Sequence, residues 1–373
     1  MTRVVVAEFL KGEKHPKIIG AGDAKTFGLR HGYVVNPELA AESLKKAVTI
    51  AEETSGIKIK RAFIGLSGRS MRGTISSGGV VISKADGEVT NLDITKALEE
   101  AEGNLQLNNK KIIHTFPVAY KLDGKDVYGR LEGMKGNKLE VKALFITYSL
   151  PHLEDLLQVI DLAGIEPIDI ISLPLSGSHM AMSERQKMVG GALVDIGAET
   201  TTLAVFEDGS LISLQTFPFG AEVITNDIAL GLKIPLEKAE EMKLSANATD
   251  NSKKKLEEII DARLSDIFEL IDDHLKKIKR SELLPAGIVF VGGGANTFNL
   301  EEISISSLGL PAKIGTAEIF GNTRTKLRDA SWLNVLGLVT VGKESGNYSE
   351  SSISGILKNI KSILKSNFKQ LLP

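Results

Sequence analysis

The sequence contains no cysteine, which excludes disulfides, thiol catalysis and thiolate metal sites and fits a reducing cytosol. It has no run of about 18 apolar residues that would span a bilayer, and its first residues, MTRVVVAEFLKGE, lack the architecture of a signal peptide. A cytosolic location is expected unless something anchors the chain. Nor is one sign of charge in excess. The 47 acidic residues match 45 basic ones, so bulk charge gives no general reason to bind nucleic acid, and any basic feature must be local. What the chain does have is length and apolar mass. With 373 residues, 42% of them hydrophobic, it can bury more than one core, and length suggests about two or three domains.

Strands alternate with helices along the chain. TRVVVAEFL and KIIGAG read as a hairpin about a turn at KGEKHP, NPELAAESLKKAVTIAEETSG as a helix and RAFIGLSG as a strand. From Ser70 to about Leu150 several strands surround one amphipathic helix, NLDITKALEEAEG, with turns at Asp-Gly and Lys-Gly, which suggests a small α+β insert. The α/β pattern then resumes with a helix, PHLEDLLQVIDLAG, closed by Gly164, a strand, IDIISLPL, and a three-strand meander of GALVDIG, TTLAVFEDG and LISLQTFPFG. The meander echoes the opening hairpin, so the chain reads as an internal duplication of two α/β halves. Beyond it, AEVITNDIALGL and PLEKAEEMKL read as short helices, and SANATDNSKK as a loop. In the long helix KKLEEIIDARLSDIFELIDDHLKKIKRSELL, Leu256, Ile259, Ile260, Leu264, Ile267, Phe268 and Ile271 share one core-facing stripe. AGIVFVGGGANTF then runs a strand straight into three glycines.

Two strand-to-loop sites suit chemistry. In VDIGAET the glycine permits a tight turn, and the backbone N–H groups and the hydroxyls of Thr200 and Thr201 can face an anion. Asp195, at the strand end, suits a hydrated Mg²⁺ that shields phosphate charge. An ordinary hairpin whose Asp and Thr satisfy their own backbone stays open beside that reading. In VGGGAN the lack of side chains lets a nucleotide approach the backbone, although glycine-rich strand ends are common.

The C-terminal segment ISGILKNIKSILKSNFKQLLP is a third signal. Ile353, Ile356, Leu357, Ile360, Ile363, Leu364, Phe368 and Leu371 form one helical stripe. Lys358, Lys361, Lys365 and Lys369 lie elsewhere, and the segment carries no acid. A polar stretch, GKESGNYSESS, precedes it, so a tethered amphipathic helix on an anionic membrane surface is expected over a helix packed on the core.

The two loops together resemble the actin-like ATPase superfamily, and further details resemble its FtsA family of bacterial cell-division proteins. ALVDIGAETTTLAVFEDGSL is similar to that family's second phosphate loop, QTFPFGAEVITNDIALGLKIPLEKAEEMK to the segment after it, and LLPAGIVFVGGGA to its adenosine loop. FIGLSG, GGVVISKADGEVTNLDITKAL and IIHTFPVAYKLDG are similar to the strand and insert that set the family apart from actin. The resemblance implies an α/β, actin-like (ribonuclease H-like) duplicated two-domain fold with an α+β insert and a C-terminal amphipathic helix. Subdomain 1A would span 1–69 and 150–190 and the insert, 1C, 70–149. Subdomain 2A would span 191–220 and 286–342, with a shortened 2B at 221–285, a linker at 343–352 and a membrane-targeting helix at 353–373.

The resemblance also implies ATP and Mg²⁺ as cofactors. Asp195 would lie near the metal, and Gly197, Ala198, Glu199, Thr200 and Thr201 at the phosphates. Gly292, Gly293, Gly294 and Ala295 would border the adenosine, and Gly220 is a further nucleotide-site candidate. Glu240 and Lys243, one helical turn apart, would face ribose or base, with a solvated helix ion pair as the alternative. The implied partners are the C-terminal tail of the tubulin-like FtsZ, with Arg263, Lys276 and Lys277 as contacts, an anionic membrane surface, other copies in a head-to-tail filament, and further division proteins through 1C. No nucleic acid is expected. The location would be the cytoplasmic side of the cell membrane at the septum.

Three departures qualify this picture. The family carries a strand and a first phosphate loop of the type Asp-Ile-Gly-Thr just ahead of the segment matched by TRVVVAEF; either the true start lies upstream of Met1 or half the phosphate clamp is lacking, and for the sequence as given weak nucleotide binding is expected. Leu173 stands where the superfamily has a glutamate that orients water, so at most slow hydrolysis is expected, with ATP as a conformational ligand. Thr202 stands where an aspartate is usual. Two other readings remain: a protein like PilM of type IV pilus assembly, against which the membrane-type tail argues, and a small-molecule kinase of the superfamily, for which no catalytic acid or base stands out.

Overall fold

A computed structural model describes residues 1–10, 16–245, 250–317 and 325–345. The first half opens with the antiparallel pair β1 (Thr2–Glu8) and β2 (Lys17–Ala24), a small hairpin of β3 (Leu29–Arg30) and β4 (Tyr33–Val34), helix α1 (Pro37–Ser55) and strand β5 (Arg61–Leu66). The Asn36 side chain caps α1 by accepting from the Leu39 N–H, proline fills the first turn, and the helix ends at Gly56 with φ 72°. Its buried face is Ala40, Ala41, Ala47 and Ala51, small enough for β2 to lie against the helix backbone. Gly20 of β2 completes that fit, since a Cβ there would sit 2.5 Å from the Ser55 Cβ.

The insert comprises β6 (Arg72–Val81), α2 (Asn91–Gly103), β7 (Lys110–Leu122), β8 (Lys125–Val127) and β9 (Lys138–Ser149). The first half then finishes with α3 (Leu150–Leu162), β10 (Glu166–Ser172), α4 (Leu173–Ala181) and α5 (Glu184–Val189). The strand expected over IDIISLPL therefore stops at Ser172. Leu173, Pro174 and Leu175 open a helix instead, because a first-turn proline fits a helix start and removes no hydrogen bond there.

The second half contains β11 (Gly191–Ile196), β12 (Thr201–Glu207), β13 (Ser210–Phe217), α6 (Ala221–Leu232), α7 (Leu236–Ser245), α8 (Asp250–Lys277), β14 (Ile288–Val291), α9 (Leu300–Leu308), β15 (Ala312–Ile314) and α10 (Leu333–Ser345). Two expectations shift. Helix α8 begins at Asp250, so the later part of SANATDNSKK is helical, and it ends at Lys277, with Ile278 to Leu284 in turns. The expected α8 stripe is buried except for the partly buried Ile259. Helix α10 runs to Ser345, so residues 343–345 belong to it rather than to a linker. The remaining linker and the 353–373 segment lie outside the described residues.

The duplication is visible in the sheets. In the second half the order is β15-β14-β11-β12-β13, with β11 parallel to β14 and antiparallel to β12. The first half repeats the outer pieces, an antiparallel β1–β2 pair and a parallel β5–β10 pair, as two separate two-stranded sheets. Helix α4 packs under β11, β12 and β14, α10 packs under β1 and β5, and the two helices pack on each other. Strands β11 and β14 are wholly buried and β12 nearly so, while β1 and most of β5 remain part-exposed.

The insert is less separate than its texture suggests. Its strands, in the order β6-β9-β7-β8, extend the second half's sheet through one antiparallel pair, Gln215 with Arg72. Arg72 Nη1 also donates to the Thr216 carbonyl. Met71, Ile113, Leu144 and Ile146 share a core with Leu203 and Leu214 of the second half, while α2 covers a smaller core of Ala97, Ala101, Leu139, Val141 and Phe145. No helix among the described residues is long and apolar enough to cross a membrane.

Candidate functional site

The ends of β11 and β14 lie side by side and bring both expected loops to one place. Asp195, paired with Thr202 on one side and Val291 on the other, is buried. Its Oδ2 accepts from Asn334 Nδ2 at 2.9 Å. Burial pushes its pKa up to about 6, opposed by that hydrogen bond and by the charge of Arg3. Gly292 must lack a side chain: at φ 88° a Cβ would collide with Asp195 Oδ1 and stand 2.5 Å from the Ile196 carbonyl. A Cβ at Gly294 would collide with the Ile196 side chain, whereas one at Gly293 would meet open space. Two of the three glycines thus pack the loop onto β11, and the middle one leaves the cleft free. Ala295 is buried beneath them.

The β11–β12 turn is closed by the Gly197 N–H on the Thr200 carbonyl, 2.9 Å. Helix α6 clamps it from behind, with Ala221 N–H donating to the Gly197 carbonyl (2.9 Å) and Glu222 N–H to that of Ala198 (2.8 Å). Gly220 makes this approach possible, because a Cβ there would stand 2.5 Å from the Ala198 carbonyl. Thr201, expected at the phosphates, is instead wholly buried with its hydroxyl donating to the Phe219 carbonyl at 2.8 Å. It fixes the turn rather than facing the cleft. Thr202 is buried with its Oγ1 3.1 Å from that of Thr216. Thr200 is part-exposed, and the carboxylate of Glu199 accepts from the His31 N–H at 2.6 Å.

Glu240 and Lys243 are neither a solvated pair nor open to a ligand on both members. Lys243 is buried, and its Nζ donates to Glu240 Oε2 (2.6 Å), Thr225 Oγ1 (2.8 Å) and the Ala221 carbonyl (3.2 Å). All three ammonium protons are used, so Lys243 holds the first turn of α6, and hence Gly220, in place. Glu240 remains half exposed. On α8, Arg263 bridges to Asp227 of α6 at 2.6 Å and to Asp266 at 3.1 Å, and Lys276 pairs with Asp272 at 2.7 Å. These two cations serve the helix bundle, while Lys277 closes the last turn of α8.

Sequence reading missed the groups gathered about Asp195. Arg3 reaches from β1 over the Trp332 ring, 5.4 Å to its centroid, and burial lowers its pKa against the pull of Asp23, Asp329 and Asp195. Its Nε is buried without a hydrogen-bond partner among the described residues, as is Asn334 Oδ1. Beside them Asn296 Nδ2 donates to Asp329 Oδ2 at 2.9 Å. An arginine inside the apolar run of β1 and a lone asparagine in the apolar WLNVLGLV were the available signals. Leu173 packs against Gly65, where a Cβ would collide with its side chain, and offers no polar group. Among the described residues no cluster of three His, Cys, Asp or Glu side chains forms a metal cage. A single carboxylate does fit Mg²⁺ arriving with phosphates, since that ion keeps several waters and takes only one or two carboxylates from the protein.

The family model "Cell division protein FtsA" matches residues 192–337, and "SHS2 domain inserted in FTSA" matches 68–147, the insert. Cell division protein FtsA of Pseudomonas aeruginosa is 27% identical, over 94% of this chain and 92% of its own length. Its counterpart in Bacillus subtilis is 29% identical, over 91% of this chain and 80% of its own. Among solved structures, the PilM-PilN type IV pilus biogenesis complex contains a chain that superposes with a TM-score of 0.67 at 16% identity, covering 91% of this chain and 95% of that one. That likeness establishes the shared actin-like fold and nothing finer.

Proposed function

Because this chain belongs to the FtsA family of cell-division proteins, we propose that it is an ATP-binding adaptor tying division filaments to the cytoplasmic face of the cell membrane. The observation that carries the nucleotide reading is the meeting of Asp195 of the second half with Arg3 of the first, beside a glycine loop whose middle residue, Gly293, is unobstructed. The Gly197–Thr200 turn and Arg3 would hold the polyphosphate, the guanidinium supplying positive charge and in-plane donors. Mg²⁺, when bound, shields the phosphate charge beside Asp195. The Asn334 amide holds the Asp195 carboxylate in one orientation, and Gly293 gives the nucleoside room to lie against backbone. With Leu173 at the head of α4, no side chain there holds an attacking water, so turnover is slow and ATP acts chiefly by joining the two halves.

The membrane reading rests on the 353–373 segment, with Ile353, Ile356, Leu357, Ile360, Ile363, Leu364 and Phe368 on the apolar stripe and Lys358, Lys361 and Lys365 for anionic headgroups. The C-terminal tail of FtsZ docks on the helical region 221–285, other copies add head to tail, and further division proteins meet the insert. Arg263 and Lys276 are weakened as tail contacts by their existing ion pairs, which leaves Lys277 as the candidate of the three. Co-sedimentation of the full chain with vesicles of phosphatidylglycerol and phosphatidylethanolamine tests the tether. Binding should vanish when residues 353–373 are deleted, and retained binding by the deletion would refute it. A pilus-assembly role like that of PilM would show no lipid binding in either form.

A further inference from the structure

The β3–β4 hairpin makes a contact that the nucleotide reading does not use. Its tip, Arg30 to Tyr33, meets the β11–β12 turn. On one side it is fastened to the first half: the Arg69 N–H donates to the His31 carbonyl at 3.2 Å, and Gly32 lies on Gly68 so tightly that a Cβ would stand 2.6 Å from the Gly68 Cα. On the other side it holds the second half. The His31 N–H donates to Glu199 Oε2 at 2.6 Å, and His31 Nδ1 lies 3.3 Å from the Glu199 carbonyl. A hydrogen bond to an ionised carboxylate is roughly twice as strong as a neutral one. His31 makes it from φ 50°, a conformation that costs a residue with a side chain.

Resting on the phosphate-site reading, we propose that this hairpin is a gate over the phosphate turn, latched by the Glu199 carboxylate to the His31 amide, which an incoming polyphosphate must release. Glu199 is part of the turn itself, so its negative charge stands where phosphate charge has to arrive. Entry separates the two: the carboxylate leaves the His31 N–H, the hairpin stays anchored through Arg69 and Gly68, and the turn becomes accessible. Glu199 is part-exposed and fills no core, so its removal spares the fold.

The full chain, Glu199→Ala and Glu199→Gln are compared by hydrogen exchange at His31 without ligand and by stopped-flow association of a fluorescent ATP analogue with Mg²⁺. Glu199→Ala should speed exchange at His31 and association of the analogue by about tenfold each, as expected for loss of a charge-assisted bond, and Glu199→Gln should fall between. Unchanged exchange would overturn the latch. Faster exchange with unchanged association would overturn the gate alone. Failure of every form to bind the analogue, with the exchange difference intact, would overturn the nucleotide reading and the gate together.

Discussion

Where β11 stands between β12 and β14, the second half presents a continuous sheet whose central strands are sealed from solvent. The first half has the same hairpin, the same parallel pair and the matching helix beneath, yet its β1–β2 and β5–β10 pairs form two separate sheets, and β1 and most of β5 remain part-exposed. Part-exposed strands open locally more readily than buried ones. The cleft therefore has one fixed wall, carrying Asp195 and the glycine loop, and one adaptable wall, carrying Arg3 and the hairpin. A ligand that touches both gains most of its leverage by ordering the second against the first.

The comparison breaks most readily at the fixed wall. Gly292→Ala forces a Cβ into Asp195 and Ile196 from a left-handed backbone. It should destabilise the chain by about 3 kcal/mol in denaturant melts and abolish nucleotide binding. Gly293→Ala, which meets open space, should alter stability by less than about 0.5 kcal/mol. Equal effects would mean that the loop does not pack as described. Next, native-state hydrogen exchange should protect β12 and β14 more strongly than β1 and β5, by on the order of 100-fold. Equal protection would remove the distinction between the walls.

A third outcome concerns the acid at the centre of the fixed wall. Asp195 keeps its proton to about pH 6 when folded but only to about pH 4 when unfolded. Its contribution therefore lowers stability as pH rises through that window, and the penalty is fully present above it. Asp195→Asn should raise the stability of the ligand-free chain by about 2 kcal/mol at pH 8 and leave it nearly unchanged at pH 4. Thermal melts at the two pH values check the sign. A smaller loss belongs to the seam between insert and second half, where Arg72→Ala removes one hydrogen bond to the Thr216 carbonyl and should cost about 1 kcal/mol.

Much of the second half was legible in the sequence because its signals are local. A strand ending in Asp-Ile-Gly, a meander with Asp-Gly and a strand running into three glycines each stand out from an apolar background. The insert was legible by its change of texture, but its junction was not, since the pairing of Gln215 with Arg72 joins residues far apart in the chain. The same limit explains the site. Thr201 invites a phosphate role until its hydroxyl finds the Phe219 carbonyl, and Lys243 resembles a surface lysine until α6 covers it. Arg3, Asn334 and His31 acquire meaning only when the halves meet. The start of α4 was obscured by leucines that continue the apolar run of β10.

The most direct test of the account is calorimetric titration of the full chain with ATP in Mg²⁺, beside Asp195→Ala on the fixed wall and Arg3→Ala on the adaptable one. Saturable binding to the full chain, weakened by about tenfold or more in each variant, is the predicted result. Binding that is absent from the full chain, or that both variants retain unchanged, would contradict a nucleotide site built between the two halves.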